Sequence, residues 1–375
     1  MVLTPLFKLM SEKQASDMFF TAGTPIQIKI QGDVMPINAQ VLDTAAVKKI
    51  IYECMNEEQI AAFERDLEIN FSLVESGVGS FRVNVFKQRG AVAMVIRYIK
   101  VNIPSVEELR MPQILKDIVM EKRGLIMVVG ATGSGKSSTL ASMINHRNMS
   151  KSGHILTIED PIEYMYRHAK SIVNQREIGI DTHTYSNALV NAMREAPDVI
   201  LIGECRDKDT FQAALAYAQT GHLCLTTVHA NNSYYALNRV INFFPHDARA
   251  SLLMDLSVSL RAIISQRLVR DVQGKLCPAA EILLNTKHIQ ELIKNGQNDQ
   301  IKDAMEQSLA PGCQTFEQAL YTLYKDGVIT LDEALANADS STNLSWLIDN
   351  AKVNETSKTQ RAANQGDLSS ISLNL

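Results

Sequence analysis

The stretch with the clearest chemistry in this 375-residue chain is Gly130-Ala131-Thr132-Gly133-Ser134-Gly135-Lys136-Ser137. It meets the phosphate-loop spacing, Gly-x4-Gly-Lys-Ser/Thr, at every fixed position. Glycines let a backbone curl until its N–H groups point inward at phosphate oxygens. The start of the next helix adds unpaired donors and its dipole, so Ser138 extends the same cradle. Lys136 can reach the β- and γ-phosphates, and the Ser137 hydroxyl suits Mg2+. The pattern predicts binding of a nucleoside triphosphate such as ATP, together with Mg2+.

Hydrolysis needs an oriented water and charge placed against the developing negative charge. Glu204 closes the apolar run Asp198-Val-Ile-Leu-Ile-Gly-Glu and suits a carboxylate that holds Mg2+. Glu159, Asp160 and Glu163 follow a second apolar run, Ile155 to Ile158. They offer the oxygen donors Mg2+ prefers, and any of the three could polarise a water. Helix capping is their competing use. His222 and His229 flank a third run, Leu223 to Val228, without metal-ligand spacing such as HExxH. Packing is the plainer role for both, and a γ-phosphate contact is expected only because neighbouring strands end nearby. Arg82 and Arg97 could serve as charge-stabilising fingers, or lie on a solvated strand face.

These side chains have to be carried by strands and helices. Leu125 to Val129 reads as a buried strand entering the loop, and Ser138 to Asn148 as the helix leaving it. From Gln113 onward short, wholly apolar strands alternate with helices, the signature of a parallel sheet covered on both faces. Ligands bind beyond the carboxyl ends of such strands, where four of these runs terminate in polar residues. Residues 1–100 read as a small α+β domain. Pro25 to Ile37 carries a hairpin, Val41 to Phe63 has helical spacing, and Phe71 to Ile99 holds two or three strands. In the last of these, Phe81, Val83 and Val85 share one face while Arg82 and Asn84 share the other.

Residues 101–112, punctuated by Pro104 and Pro112, read as a linker. Further on, Leu252 to Ile264, Thr286 to Lys294 and Thr315 to Lys325 read as helices, with a strand pair near Gln266–Val269 and Ala280–Leu284. From about Asn350 the apolar periodicity stops, so residues 350–375 read as a disordered tail.

Composition narrows the class. A hydrophobic content of 46% with 21% charged residues is that of an ordinary globular chain, and a net charge of −4 argues against a whole-protein nucleic-acid footprint. No basic, aromatic-interleaved strip for nucleic acid is present. Apolar runs fall well short of the roughly 20 residues of a membrane helix, and residues 1–10 lack the pattern of a signal peptide. The five cysteines are scattered without a CxxC pair, which argues against a zinc site or a disulfide frame.

Met193-Arg-Glu-Ala-Pro-Asp-Val-Ile-Leu-Ile-Gly-Glu-Cys-Arg-Asp207 resembles the signature of the type II/IV secretion ATPases. That signature reads Leu/Ile-Arg-x-x-Pro-Asp, three aliphatics, Gly-Glu, an aliphatic, Arg-Asp, and Cys205 stands at its last aliphatic position. Thr157 to Glu163 resembles the family's "Asp box", Gly221 to His229 its "His box", and Ala15 to Met18 the opening of its N-terminal domain. The likeness runs over about residues 5–345 and is to the pilus-retraction branch, because the four-cysteine motif and longer N-terminal region of assembly ATPases are missing. His288 to Asn295 departs from the Ala-Ile-Arg-Asn-Leu-Ile-Arg-Glu helix of the retraction motor PilT, which suggests an accessory partner of that motor.

The resemblance implies an α/β chain with an N-terminal PAS-like α+β domain (1–100) and a C-terminal RecA-like P-loop ATPase domain (113–349). It implies a cytoplasmic homohexamer, peripheral at the inner membrane through a pilus platform protein. ATP would bind between the N-terminal domain of one subunit and the C-terminal domain of another. Glu163 would be the water-activating base, Glu204 the Walker B acid, and Arg82 and Arg97 the arginines from the N-terminal domain. A nucleotide-binding scaffold that stabilises PilT with little hydrolysis is the alternative.

Overall fold

Strict alternation builds the first sheet: Phe81, Val83 and Val85 are fully buried, whereas Arg82 and Asn84 are only partly covered. The structure, a computed structural model, describes residues 3–30, 32–99 and 101–351. Nearly all of the expected tail, from residue 352 on, lies outside the described residues. The chain divides into two compact units, Met1–Ile103 with Asn148–Gly203, and Pro104–Arg147 with Glu204–Leu375.

In the first unit six strands form an antiparallel sheet: β1 (Asp17–Phe20), β2 (Gln27–Ile30), β3 (Asp33–Pro36), β4 (Glu68–Glu75), β5 (Gly79–Gln88) and β6 (Ala91–Ile99). Their order is β3-β2-β1-β6-β5-β4. The expected hairpin is β2–β3, with Ile30 opposite Asp33. The helix Thr4–Glu12 buries Phe7 and Met10, and the Phe7 ring stacks on Phe81 with centroids 4.0 Å apart. The helical spacing of Val41 to Phe63 resolves into two helices, Thr44–Tyr52 and Glu57–Asp66. Asn56 separates them because its side chain caps the second helix in a reciprocal capping box with Gln59.

Seven more strands follow: β7 (Gly124–Val129), β8 (Gly153–Glu159), β9 (Ser171–Glu177), β10 (Val199–Ile202), β11 (Leu223–Val228), β12 (Leu260–Arg270) and β13 (Leu276–Leu284). The first unit holds β10-β8-β9, all parallel, with Ile202 level with Ile158. The second holds β13-β12-β7-β11. There β7, β11 and β12 run parallel, and β13 returns antiparallel on β12. Every residue of β7 and β11 is buried, as in strands covered on both faces.

The stretch Leu252 to Ile264, read as one helix, changes state midway. The helix Arg249–Ser259 stops and β12 starts at Leu260. Helical spacing continues through Leu260-Arg-Ala-Ile-Ile, but ladders to β7 on one side and β13 on the other override that local preference.

Candidate nucleotide site

In the second unit β7 delivers the chain to the loop at Val129, and the helix Lys136–Ser150 carries it away. Gly130 and Gly135 have φ of +156° and +90°. A Cβ on Gly130 would lie 2.5 Å from the Gln266 carbonyl oxygen, and one on Gly135 would lie 2.7 Å from Gln266 Nε2. Both glycines are therefore required by the close approach of β12 as well as by the curl. Lys136 Nζ donates to the carbonyls of Gly130 (3.0 Å) and Ala131 (2.9 Å), so its ammonium sits inside the loop. Ala131, Thr132 and Gly133 are exposed, and Ser137 and Ser138 are half-buried at the helix start.

Two features suit this loop to an anionic ligand. The Ser134 hydroxyl is buried with no hydrogen-bond partner among the described residues. A cavity of about 410 Å3 opens along Ala131 to Ser134, closed opposite by Gln266 and Arg267.

Glu204 stands just beyond β10, and the next residue ties it to β11: the Cys205 N–H donates to Thr227 O at 2.9 Å. Its carboxylate meets Arg206 Nη2 at 2.8 Å and His229 Nε2 at 3.2 Å. Burial works against its charge. The Arg206 hydrogen bond and the electrostatic influence of His229, Arg206 and Lys136 outweigh that, holding the carboxyl below its usual range. Among the described residues no group of three or more His, Cys, Asp or Glu could hold a metal ion. An ionised Glu204 and the Ser137 hydroxyl nonetheless fit Mg2+, which is commonly bound through one or two protein oxygens together with substrate phosphates.

His222 lies away from the loop within this unit. It precedes β11, whose Leu223 is level with Gly124 and whose Val228 is level with Val129. The imidazole therefore lies at the opposite end of a six-residue strand from the loop, about 20 Å away at the usual strand rise. There its Nδ1 lies within hydrogen-bond distance of Thr220 Oγ1 and Tyr217 O. His229, at the other end, is the histidine placed beside Glu204.

The first unit gathers the remaining candidates. Arg82 and Arg97 are direct cross-strand partners on β5 and β6, so they share one face. Their like charges are offset by acids: Arg97 Nε donates to Asp17 at 2.9 Å, and Arg82 Nη1 lies 3.3 Å from Glu177 Oε1. Glu177 is buried at the end of β9, and its Oε2 accepts the N–H of Ile162 at 3.2 Å. Burial raises its carboxyl, against the Ile162 bond and the Arg82 charge. One carboxylate thus joins Arg82 to the backbone next to Glu163. Asp160 and Glu163 are exposed, and the Asp160–Pro161 peptide is cis.

Glu159 Oε1 accepts bonds from Thr157 Oγ1 (2.7 Å) and Gln175 Nε2 (3.3 Å). Burial lifts its carboxyl to about 7 despite those bonds, with the charges of Glu163 and Glu177 assisting. A native value above the unfolded one stabilises the fold below the ordinary carboxyl pKa, and that contribution is lost as pH rises through about 7. Glu159→Gln should therefore raise stability at pH 8 by about 1–2 kcal/mol, since solvent around the half-buried side chain screens part of the full shift. It should leave stability at pH 4.5 nearly unchanged. Urea midpoints across that range check this, and parallel curves for parent and variant would contradict it.

Glu177, Gln266 and Thr139 escaped the sequence reading. The available signal for Gln266 was its place just after the apolar run Ala262 to Ile264, blurred by Ser265 and Arg267 beside it. Nothing local marks Glu177, whose role comes from β5 lying across from it.

The family model described as "Type II/IV secretion system protein" matches residues 1–370. The type IV pilus ATPase PilU of Pseudomonas aeruginosa is 48% identical over 92% of this chain and 90% of its own. The type IV pilus retraction ATPase PilT of the same organism is 40% identical over 90% of this chain and 98% of its own. A crystal structure of the pilus retraction motor PilT with bound ADP superposes with a TM-score of 0.84 at 39% identity, covering 91% of this chain and 98% of that one.

Proposed function

We propose that this chain, which belongs to the type II/IV secretion system protein family, is a cytoplasmic Mg-ATPase that supports type IV pilus retraction beside PilT. In this reading residues 1–100 are a PAS-like domain and residues 113–349 a RecA-like ATPase domain, assembled as a homohexamer that contacts an inner-membrane pilus platform protein. The observation that carries it is the loop Gly130–Ser137 with Lys136, Glu204 and His229 gathered at the ends of parallel strands. Among the described residues no helix is long and apolar enough to cross a membrane.

Each side chain then has a task. Backbone N–H groups of the loop and Ser138 hold the phosphates, and Lys136 exchanges its carbonyl partners for phosphate oxygens. Ser137 and Glu204 would hold Mg2+, with Glu159 and Asp160 as further donors. When bound, Mg2+ neutralises charge on the β- and γ-phosphate oxygens. Glu163 accepts the proton of the attacking water, His229 contacts the γ-phosphate, and Arg82 and Arg97 stabilise the negative charge that develops.

ATP turnover by the purified chain is the test. Lys136→Ala should lower it at least about a hundredfold, and undiminished turnover would remove this site from the mechanism. A second reading has its own support, because Glu204 is already engaged by Arg206 and His229. The chain would then be a nucleotide-binding scaffold for PilT, and co-purification with PilT at negligible turnover would favour it.

A further inference from the structure

Gln266 is a polar side chain between Ser265 and Arg267, just beyond the apolar run Ala262 to Ile264. It lies on β12, is 4% exposed, and meets the phosphate loop at three points. Its backbone carbonyl oxygen abuts Gly130, and its side-chain Nε2 approaches Gly135, the residue before Lys136. Its Oε1 accepts a 2.7 Å bond from the hydroxyl of buried Thr139, whose own N–H donates to Gly135 O at 3.1 Å. These contacts frame the loop at its first residue, at its last glycine and one turn into the helix.

A side chain of equal length without polar atoms would fill the same space and brace Gly135 in the same way. It would leave the Thr139 hydroxyl unpaired in the interior, and it could fix no direction. The directional link matters when nucleotide arrives. In this structure Lys136 holds the loop's curl by bonding two of its carbonyls. When the ammonium turns to phosphate, those bonds are given up and the Gln266–Thr139 link remains. The same residue also lines the cavity that runs along Ala131 to Ser134.

Resting on the ATPase reading above, we propose that Gln266 is a positioning residue for the triphosphate. Acting through Thr139 and against Gly135, its carboxamide keeps the loop's N–H groups and Lys136 in the arrangement that receives phosphates. It belongs to ground-state binding rather than to the chemical step. Its loss therefore raises KM while kcat is largely kept.

The experiment uses the full-length chain, with steady-state ATP hydrolysis, ATP titration and melting of the nucleotide-free protein. Gln266→Met and Thr139→Val should each raise KM for ATP about five- to tenfold, the loss of roughly one buried hydrogen bond, with kcat within about threefold of the parent. The double variant should be no worse than either single one, because both remove the same link. Thr139→Ser, which keeps the hydroxyl, should restore the parental KM. A Gln266→Met KM within twofold of the parent, additive effects in the double variant, or a Thr139→Ser as impaired as Thr139→Val would each overturn the proposal. If Gln266→Met does not fold, the Thr139 pair reads the same link. A parent that neither binds nor hydrolyses ATP overturns the ATPase reading as well, whereas an active parent indistinguishable from Gln266→Met overturns this inference alone.

Discussion

Glu204→Gln should lower ATP turnover on the order of a hundred- to a thousandfold while ATP affinity stays within about threefold. The substitution keeps the side chain's length and an oxygen for Arg206, which lies 2.8 Å from the native carboxylate, and for His229 at 3.2 Å. It removes only the negative charge. The Arg206 hydrogen bond and the neighbouring His229, Arg206 and Lys136 act on this carboxylate and outweigh its burial. A structural carboxylate in such surroundings would contribute mainly to stability, and its neutralisation would lower the melting temperature with little kinetic effect. A carboxylate that places Mg2+ against the phosphates contributes mainly as charge develops in transfer, so kcat takes the loss. Turnover and affinity measured on the same preparation separate these outcomes. A kcat within tenfold of the parent, with a lowered melting temperature, would return Glu204 to a purely structural role. Arg206→Ala offers the complementary reading, since it frees the carboxylate without changing its charge.

The parts of this molecule legible in the sequence are those whose physics is local. A wholly apolar run entering a glycine-rich turn that fits the phosphate-loop spacing specifies strand, loop and helix together, which is why β7, the loop and the helix from Lys136 were readable. Alternation in Phe81, Val83 and Val85 likewise named the buried face of β5, and with it the face that carries Arg82. What escaped was set by partners distant along the chain. The helix expected to reach Ile264 ends at Ser259 because β7 and β13 recruit the following residues into a sheet. His222 and His229 look equivalent as a pair flanking one strand, and only the parallel register with β7 shows which end faces the loop. Gln266 lies 127 positions from Thr139, so no spacing could have joined them.

Gly130→Ala should cost about 2–4 kcal/mol of stability and abolish measurable ATP binding. Two separate costs combine at this position. The residue has φ of +156°, which side chains rarely adopt, and its Cβ would lie 2.4 Å from Ser134 Oγ and 2.5 Å from the Gln266 carbonyl oxygen. The serine hydroxyl can rotate away, but the Gln266 carbonyl belongs to the β12 backbone, so either the strand or the loop has to move. If the loop moves, its N–H groups no longer converge, and the loss of binding exceeds the loss of stability. Gly133→Ala is the control: φ there is +80°, yet nothing lies within 4 Å of the added carbon, so backbone strain of about 1 kcal/mol is the whole structural cost. Urea unfolding with ATP titration on both variants makes the comparison. Equal losses of stability at the two positions, or retained ATP binding in Gly130→Ala, would mean that the loop adapts and that contact with β12 does not set its shape.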